Sequence, residues 1–270
     1  TEGVIPTGQK LGMSSMTQDI VQKGLYVTIS DQLELHAIDN AILGATEELG
    51  ASGGMSIDKM VRNEVVGGTV KQLCDKVNAT TGEHTEVTER SGMDTTCVLT
   101  PTEVNKAVTT LKKAHAPTIN GKYVGIIHPS VAFDLRQSKE WIEAHKYAAV
   151  TELFNGEIGE LHGVRFIEST NQKIWNDSTC PVKTAAASGN PAVYYSVYAT
   201  IIMGKDAFAM IDPDGGTMEM IVKTKGEAGG PLEQFSTVGY KYEGAAKRLY
   251  EERMVRIEST SAYSATDPAN

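Results

Sequence analysis

Residues 40–66, NAILGATEELGASGGMSIDKMVRNEVV, constrain this chain more than any other stretch. Ile42, Ala45, Leu49, Ile57, Met60 and Val61 give it one apolar side, which predicts a single long helix. Asp39 stands where an N-cap belongs, and Gly67-Gly68 end the stretch in C-cap fashion. At about 1.5 Å per residue such a helix is near 40 Å long. Gly50, Gly53 and Gly54 fall in its middle, each costing roughly 1 kcal/mol against alanine. Glycines there predict a bend or a close backbone contact.

On the N-terminal side, LYVTIS (25–30) alternates Leu25, Val27 and Ile29 against Tyr26, Thr28 and Ser30, a half-buried strand. The preceding residues 13–24, MSSMTQDIVQKG, are mostly polar and lack a helical period. Extended at roughly 3.3 Å per residue they would reach well over 30 Å, with no core of their own. Residues 1–12 are turn-rich, and Asp31 and Glu34 have capping-box spacing for a short turn.

On the C-terminal side, residues 69–99 are polar, with 78–92 reading as an exposed loop or hairpin. Thr100-Pro101-Thr102-Glu103 is a strong helix start, continued by Val104, Val108 and Leu111. YVGII (123–127) is a buried strand, His128-Pro129 opens a helix through Leu135, and Ser138 opens another through Tyr147. A strand follows at 163–169, then an irregular stretch at 170–191. The remainder is strand-rich, at 192–204, 207–212, 217–225, 236–249 and 254–259, with DPDGG (212–216) as a turn. Helices and strands mix without βαβ regularity or sequence repeats, so the expected class is α+β.

The chain's 270 residues can bury a sizeable core, as one large domain or two small ones. A net charge of −9 argues against a protein whose main task is gripping nucleic acid. No window approaches the ~18–20 apolar residues of a membrane span. Cys74, Cys97 and Cys180 are far apart with no CxxC pair. They support neither a zinc knuckle nor a disulfide framework and read as free, partly buried thiols.

Catalytic patterns fare no better. FNGEIGELHGVRF (154–166) sets Gly156, Gly159 and Gly163 in a GxxGxxxG spacing. It follows a predicted helix and precedes a strand, whereas a dinucleotide cradle needs GxGxxG after a strand and before a helix. The three glycines therefore read as a structural loop. The six histidines show no metal-ligand pairing; His128, at a strand end, is the most site-like, but the proline after it favours a helix start. Asp212 and Asp214 lack the other ligands of a calcium loop. Lys112-Lys113 and Lys247-Arg248 are isolated basic pairs of the solvated kind. No catalytic, cofactor or metal constellation is expected.

Four blocks in order, TEGVIPTGQKL, YVTISDQLELHAIDNAI, KYVGIIHPSVAFDLRQSKEW and NGEIGELHGVRFIES, resemble the major capsid proteins of tailed bacteriophages. The resemblance implies the Hong Kong 97-type capsid fold. In that fold a peripheral (P) domain with a long spine helix supports an axial (A) domain, and an extended two-stranded E-loop reaches over a neighbouring subunit. On this pattern residues 1–30 are the returning half of the E-loop with its strand into the body, and 31–100 are P domain with the spine helix. Residues 101–210 are mainly A domain, and 211–270 are P-domain strands and tail. Glu2, Pro6, Gln9, Lys10, Met16, Asp19 and Lys23 become the expected inter-subunit contacts, and residues 1–24 are expected to be ordered only by neighbours. An N-terminal arm and the outgoing E-loop strand are expected to precede Thr1.

The implied function is an icosahedral shell of hexamers and pentamers around double-stranded DNA, found in the virion and assembled in the host cytoplasm. Its implied partners are itself, portal and scaffolding proteins, with room for a decoration protein, and no cofactor. An encapsulin-like shell holding protein cargo, or a soluble α+β enzyme using His128, stays open at this point.

Overall fold

Asn40, rather than Asp39, caps the long helix in the computed structural model. That structure describes residues 12, 15–36, 40–78, 81–138, 141, 159–185, 191–213, 218–228 and 232–270, so Asp39 lies outside the described residues. The Asn40 Oδ1 accepts from the amides of Ile42 and Leu43, and the helix runs Ala41–Val66. Gly67 ends it in a right-handed conformation, where any residue could sit. An added Cβ would stand 2.6 Å from Nη1 of Arg248, which donates to the Glu64 carbonyl, so a larger residue there would have to push that guanidinium aside. Of the three central glycines, Gly53 alone has a packing reason: a Cβ there would collide with the Met218 sulfur. At Gly50 and Gly54 a Cβ meets nothing within 4 Å.

In chain order the elements are β1 (Val21–Ser30), α1 (Asp31–His36), the long helix α2, β2 (Lys71–Leu73), β3 (Lys76–Val77), β4 (His84–Thr85), α3 (Pro101–Lys113), β5 (Tyr123–Ile127) and α4 (Pro129–Gln137). Then follow β6 (Gly159–Leu161), β7 (Val164–Glu168), β8 (Ile174–Trp175), β9 (Val182–Thr184), β10 (Val193–Tyr194) and β11 (Val197–Met203). The last four are β12 (Phe208–Ile211), β13 (Glu219–Lys223), β14 (Phe235–Arg248) and β15 (Met254–Ser259).

Two sheets share α2. The larger is mixed, ordered β2-β15-β11-β5-β7-β6 with β8 on β11. Every residue of its central strand β11 is buried, which accounts for a largely apolar run interrupted only by Thr200. One face packs under α3 and α4, where Val104, Val108, Leu111, Val131 and Leu135 meet Ile127, Phe166 and Ile257. The C-terminal end of α2 covers the other, bringing Val65 and Val66 onto Ala199, Ile201 and Met203. In the second sheet β14 is the axis. It pairs antiparallel with β1 from Val21↔Gly244 to Ser30↔Phe235, and with β13 and β12. Leu49 of α2 packs on Ile29, Val238 and Tyr240 of this sheet.

Several expectations shift. The strand expected at 25–30 starts at Val21, so residues 21–24 have a partner within the chain and are not ordered by neighbours alone. The polar 69–99 region holds β2, which pairs in parallel with β15, and the β3–β4 hairpin. Stretch 170–191 contains β8 and β9, and 192–204 divides into β10 and β11. Residues 71–73 and 254–259, given by the resemblance to the P domain, join the sheet of β5, β7 and β11. The helix from Ser138 is described only at Trp141, whose amide reaches the Ser138 hydroxyl.

Two helix starts behave as their sequences imply. Thr100 Oγ1 accepts from the Glu103 amide. Glu103 itself, fully buried, turns its carboxylate to Gln72 and Lys106 instead of back to the cap. His128 caps α4 through Nδ1, which accepts from the Ser130 amide at 3.2 Å.

A motif not singled out in the sequence occurs twice, as Asp94-Thr95-Thr96-Cys97 and Asp177-Ser178-Thr179-Cys180. In each the aspartate Oδ1 accepts from the amide and hydroxyl of the threonine, and the cysteine amide donates to the aspartate carbonyl. Both cysteines are buried and free, as is Cys74.

The last eleven residues form a strap across the larger sheet. Ser196 N donates to Ala265 O, Asn176 Nδ2 to Asp267 O, and Tyr198 Oη to Asp267 Oδ2 at 2.7 Å. Burial works against ionisation of Asp267, but hydrogen bonds from Ser264 and Tyr198, with charge on His128, hold its carboxyl below the usual range. A depressed pKa stabilises above the unfolded value near 3.9 and is lost as pH falls through the lower folded value. Amide-exchange protection across 262–270 is therefore expected to hold at pH 5 and fall below about pH 3.5. Asp267→Asn should remove that pH step.

Candidate assembly surface

From Gly159 onward the glycine-rich stretch is a hairpin. β6 and β7 pair with Leu161 opposite Val164, so only His162 and Gly163 make the turn. Their φ values, 51° and 79°, are both positive, as a two-residue type I′ turn requires. Gly159 opens β6 at φ 108°, a conformation only glycine adopts with ease. Both positions need a positive φ, and 159–161 is strand rather than loop; Gly156 lies outside the described residues. Gly159→Val is expected to lower the melting temperature, by a backbone cost of order 1–3 kcal/mol, and to leave nucleotide affinity unaltered. A nucleotide-binding defect in a folded variant would overturn the structural assignment.

His128 has a structural job. Its ring stacks at 5.0 Å on Tyr198 and its Nδ1 is engaged in the cap. Burial lowers its pKa, against the pull of Asp267. A cleft of about 680 Å³ between β2, residues 86–88 and α3 is polar. Of its three carboxylates, Asp75, Glu86 and Glu103, Lys106 holds Asp75 and Glu103. Among the described residues no group of three or more His, Cys, Asp or Glu could hold a metal ion, and no helix is long and apolar enough to cross a membrane.

What the surface does carry is unpartnered apolar area. β1 is an edge strand. Its Ile29 is buried against α2, yet Leu25 and Val27, on the same inward row, are exposed. On the opposite face Tyr26 is 72% exposed and packs beside Gly239, where a Cβ would stand 2.9 Å from the Tyr26 Cβ. Around the end of this sheet Leu33, Leu35 (79%), Leu232 (72%) and Phe235 are exposed together with Leu43 of α2. A second patch pairs Phe133 of α4 with Tyr263 of the strap, ring centres 5.0 Å apart. Exposed apolar groups at this density on one sheet and its tip are the kind of surface that contacts with other chains cover.

The expected contact residues map unevenly onto this surface. Met16 and Asp19 are exposed and lie ahead of β1, and Lys23 is half-buried within it. Glu2, Pro6, Gln9 and Lys10 lie outside the described residues. The apolar residues of β1 and its tip were not among the expected contacts. Their signal was the alternation of 25–30, which shows an apolar row but not whether the chain itself covers it.

A long helix shared by two sheets, with β1 at the edge of one of them among the described residues, is the architecture of the Hong Kong 97-type capsid fold. Solved structures share this architecture. The capsid of Ralstonia phage GP4 matches with a TM-score of 0.61 at 15% identity, over 93% of this chain and 75% of that one. The capsid of Helicobacter pylori bacteriophage KHP30 matches at 0.60 and 11%, over 90% and 75%. The SrpI encapsulin of Synechococcus elongatus matches at 0.55 and 9%, over 93% and 78%. At such identities these likenesses show the fold. No curated protein matches the sequence. Residues 28–231 match the family described as phage capsid protein, and the chain belongs to that family. It is a structural major capsid protein.

Proposed function

We propose that this chain closes into the hexamers and pentamers of an icosahedral tailed-phage head, assembled in the host cytoplasm around double-stranded DNA and without enzymatic activity. The family match carries the reading, and the exposed apolar sheet with its open edge supports it. Heterologous contacts of one subunit type close into rings when the rotation between neighbours allows it. Residues 15–20, with the segment before them, act as the returning E-loop lying on a neighbour, through Glu2, Pro6, Gln9, Lys10, Met16, Asp19 and Lys23. In this reading the A domain is the larger sheet with α3, α4 and the C-terminal strap, and the P domain is α2 with the β1–β14–β13 sheet. Portal and scaffolding proteins complete the head. The net charge of −9 suits a lining that does not adhere to the nucleic acid it encloses. Electron micrographs of expressed protein should show closed shells, with nucleic acid in particles from infected cells. A small oligomer at micromolar concentration, or particles filled with a protein cargo, would overturn the proposal.

A further inference from the structure

Cys74 and Cys97 meet at one place beside β15. β2 runs parallel to β15 with Leu73 opposite Glu258, so the next residue, Cys74, faces Ser259. The chain then leaves the sheet and returns through Val98, which bridges in parallel to Thr260, so Cys97 also faces Ser259. In an unbroken parallel ladder one residue would donate to the carbonyl of 258 and accept from the amide of 260. Here the two duties are divided. Cys74 N donates to Glu258 O at 3.0 Å, and Cys97 O accepts from Thr260 N at 3.0 Å. Residues that divide one slot in this way sit side by side against the same stretch of β15; a disulfide between them would need Cα atoms about 4.4–6.8 Å apart. The period-2 rule turns both side chains to the face that carries Ser259. Both thiols are fully buried in one core cluster, and charge on Cys97 acts on Cys74.

We propose that Cys74 and Cys97 form an oxidisable dithiol, which closes to an intrachain disulfide and ties the excursion 75–96, with Arg90 on it, to β15. The oxidant is a low-molecular-weight disulfide. The Cys97 thiolate attacks one of its sulfurs and expels a thiolate. The Cys74 thiolate then attacks the Cys97 sulfur of the mixed disulfide and expels the second. The two protons lost by the cysteines end on the two small thiols. Burial pushes the Cys97 thiol up to about 11 and raises Cys74 as well, so exchange waits on opening of the excursion. The dithiol therefore persists in a reducing medium and closes slowly in an oxidising one.

The test is to refold the full chain with oxidised glutathione, where burial cannot block access, and to incubate purified particles in the same reagent. Peptide mapping should find residues 74 and 97 joined, with Cys180 still open to alkylation. The oxidised protein should melt roughly 5 °C higher, as loop closure predicts, and revert with dithiothreitol. Cys74→Ala or Cys97→Ala should abolish the shift, and Cys180→Ala should keep it. A refolded chain with three alkylatable thiols, or one whose bond engages Cys180, would overturn the inference.

Discussion

Glu258→Ala is expected to destabilise the subunit by roughly 3–5 kcal/mol, the cost of breaking a buried charge cluster by removing its common member. The Glu258 side chain is 2% exposed. It accepts from Arg90 at both oxygens, Nε at 2.8 Å and Nη2 at 2.9 Å, and from Arg256 Nε at 2.9 Å. Arg90 also lies 3.9 Å over the Trp175 ring and donates to Thr179. Arg256 donates to the carbonyls of Val66 and Gly68 at the end of α2. One carboxylate therefore joins β15, the 75–96 excursion, β8 and the long helix. Without it the two guanidiniums lose the carboxylate that bridges them, and of the two Arg90 keeps an acidic neighbour, Asp177. The melting temperature should fall by on the order of 10 °C. Glu258→Gln, which keeps shape and accepting oxygen but not charge, should cost less. Combining Glu258→Ala with Arg90→Ala should cost less than the sum of the single changes, by 0.5–3 kcal/mol for groups in contact. Strict additivity would show that the cluster is not coupled.

That cluster was illegible in the sequence because its members come from segments separated by more than 160 residues. The long helix was legible because its period and caps are local. The same contrast runs through the sheets. β11 and β14 announce themselves as apolar or alternating runs, whereas β2 is three residues, KQL, in a polar stretch, paired in parallel with a strand near the other end of the chain. Lys23 and Gly24 hid the start of β1. Gly24 is there because a Cβ would stand 2.7 Å from the Tyr240 carbonyl, a cross-strand requirement visible only once the partner is known. The assembly surface was half legible. Leu25, Val27 and Ile29 read correctly as one apolar row, but its cover is not encoded nearby, since α2 closes over Ile29 alone.

The uncovered part of that row yields the largest expected effect on assembly. Leu25→Asp combined with Val27→Asp is expected to abolish particles while leaving the subunit folded. Both positions are exposed on an edge strand. Surface changes of this kind alter folding stability by about 0.5 kcal/mol each, or up to about 1 kcal/mol where strand propensity is lost. In a closed shell the same side chains would sit against a neighbour, where an unpaired carboxylate costs several kcal/mol to desolvate. Every subunit carries the penalty, and closure multiplies it over all contacts. The variant should therefore melt within a few degrees of the parent subunit yet elute as a small species and show no shells by electron microscopy. Exposure alone does not make a contact, and Leu249→Asp, at an exposed position on the turn after β14, is the comparison that separates the two. It should assemble normally. Particles from the β1 double variant in normal yield would mean that this edge faces solvent in the shell, and that the Phe133–Tyr263 patch or the tip around Leu35 and Leu232 carries the contacts instead.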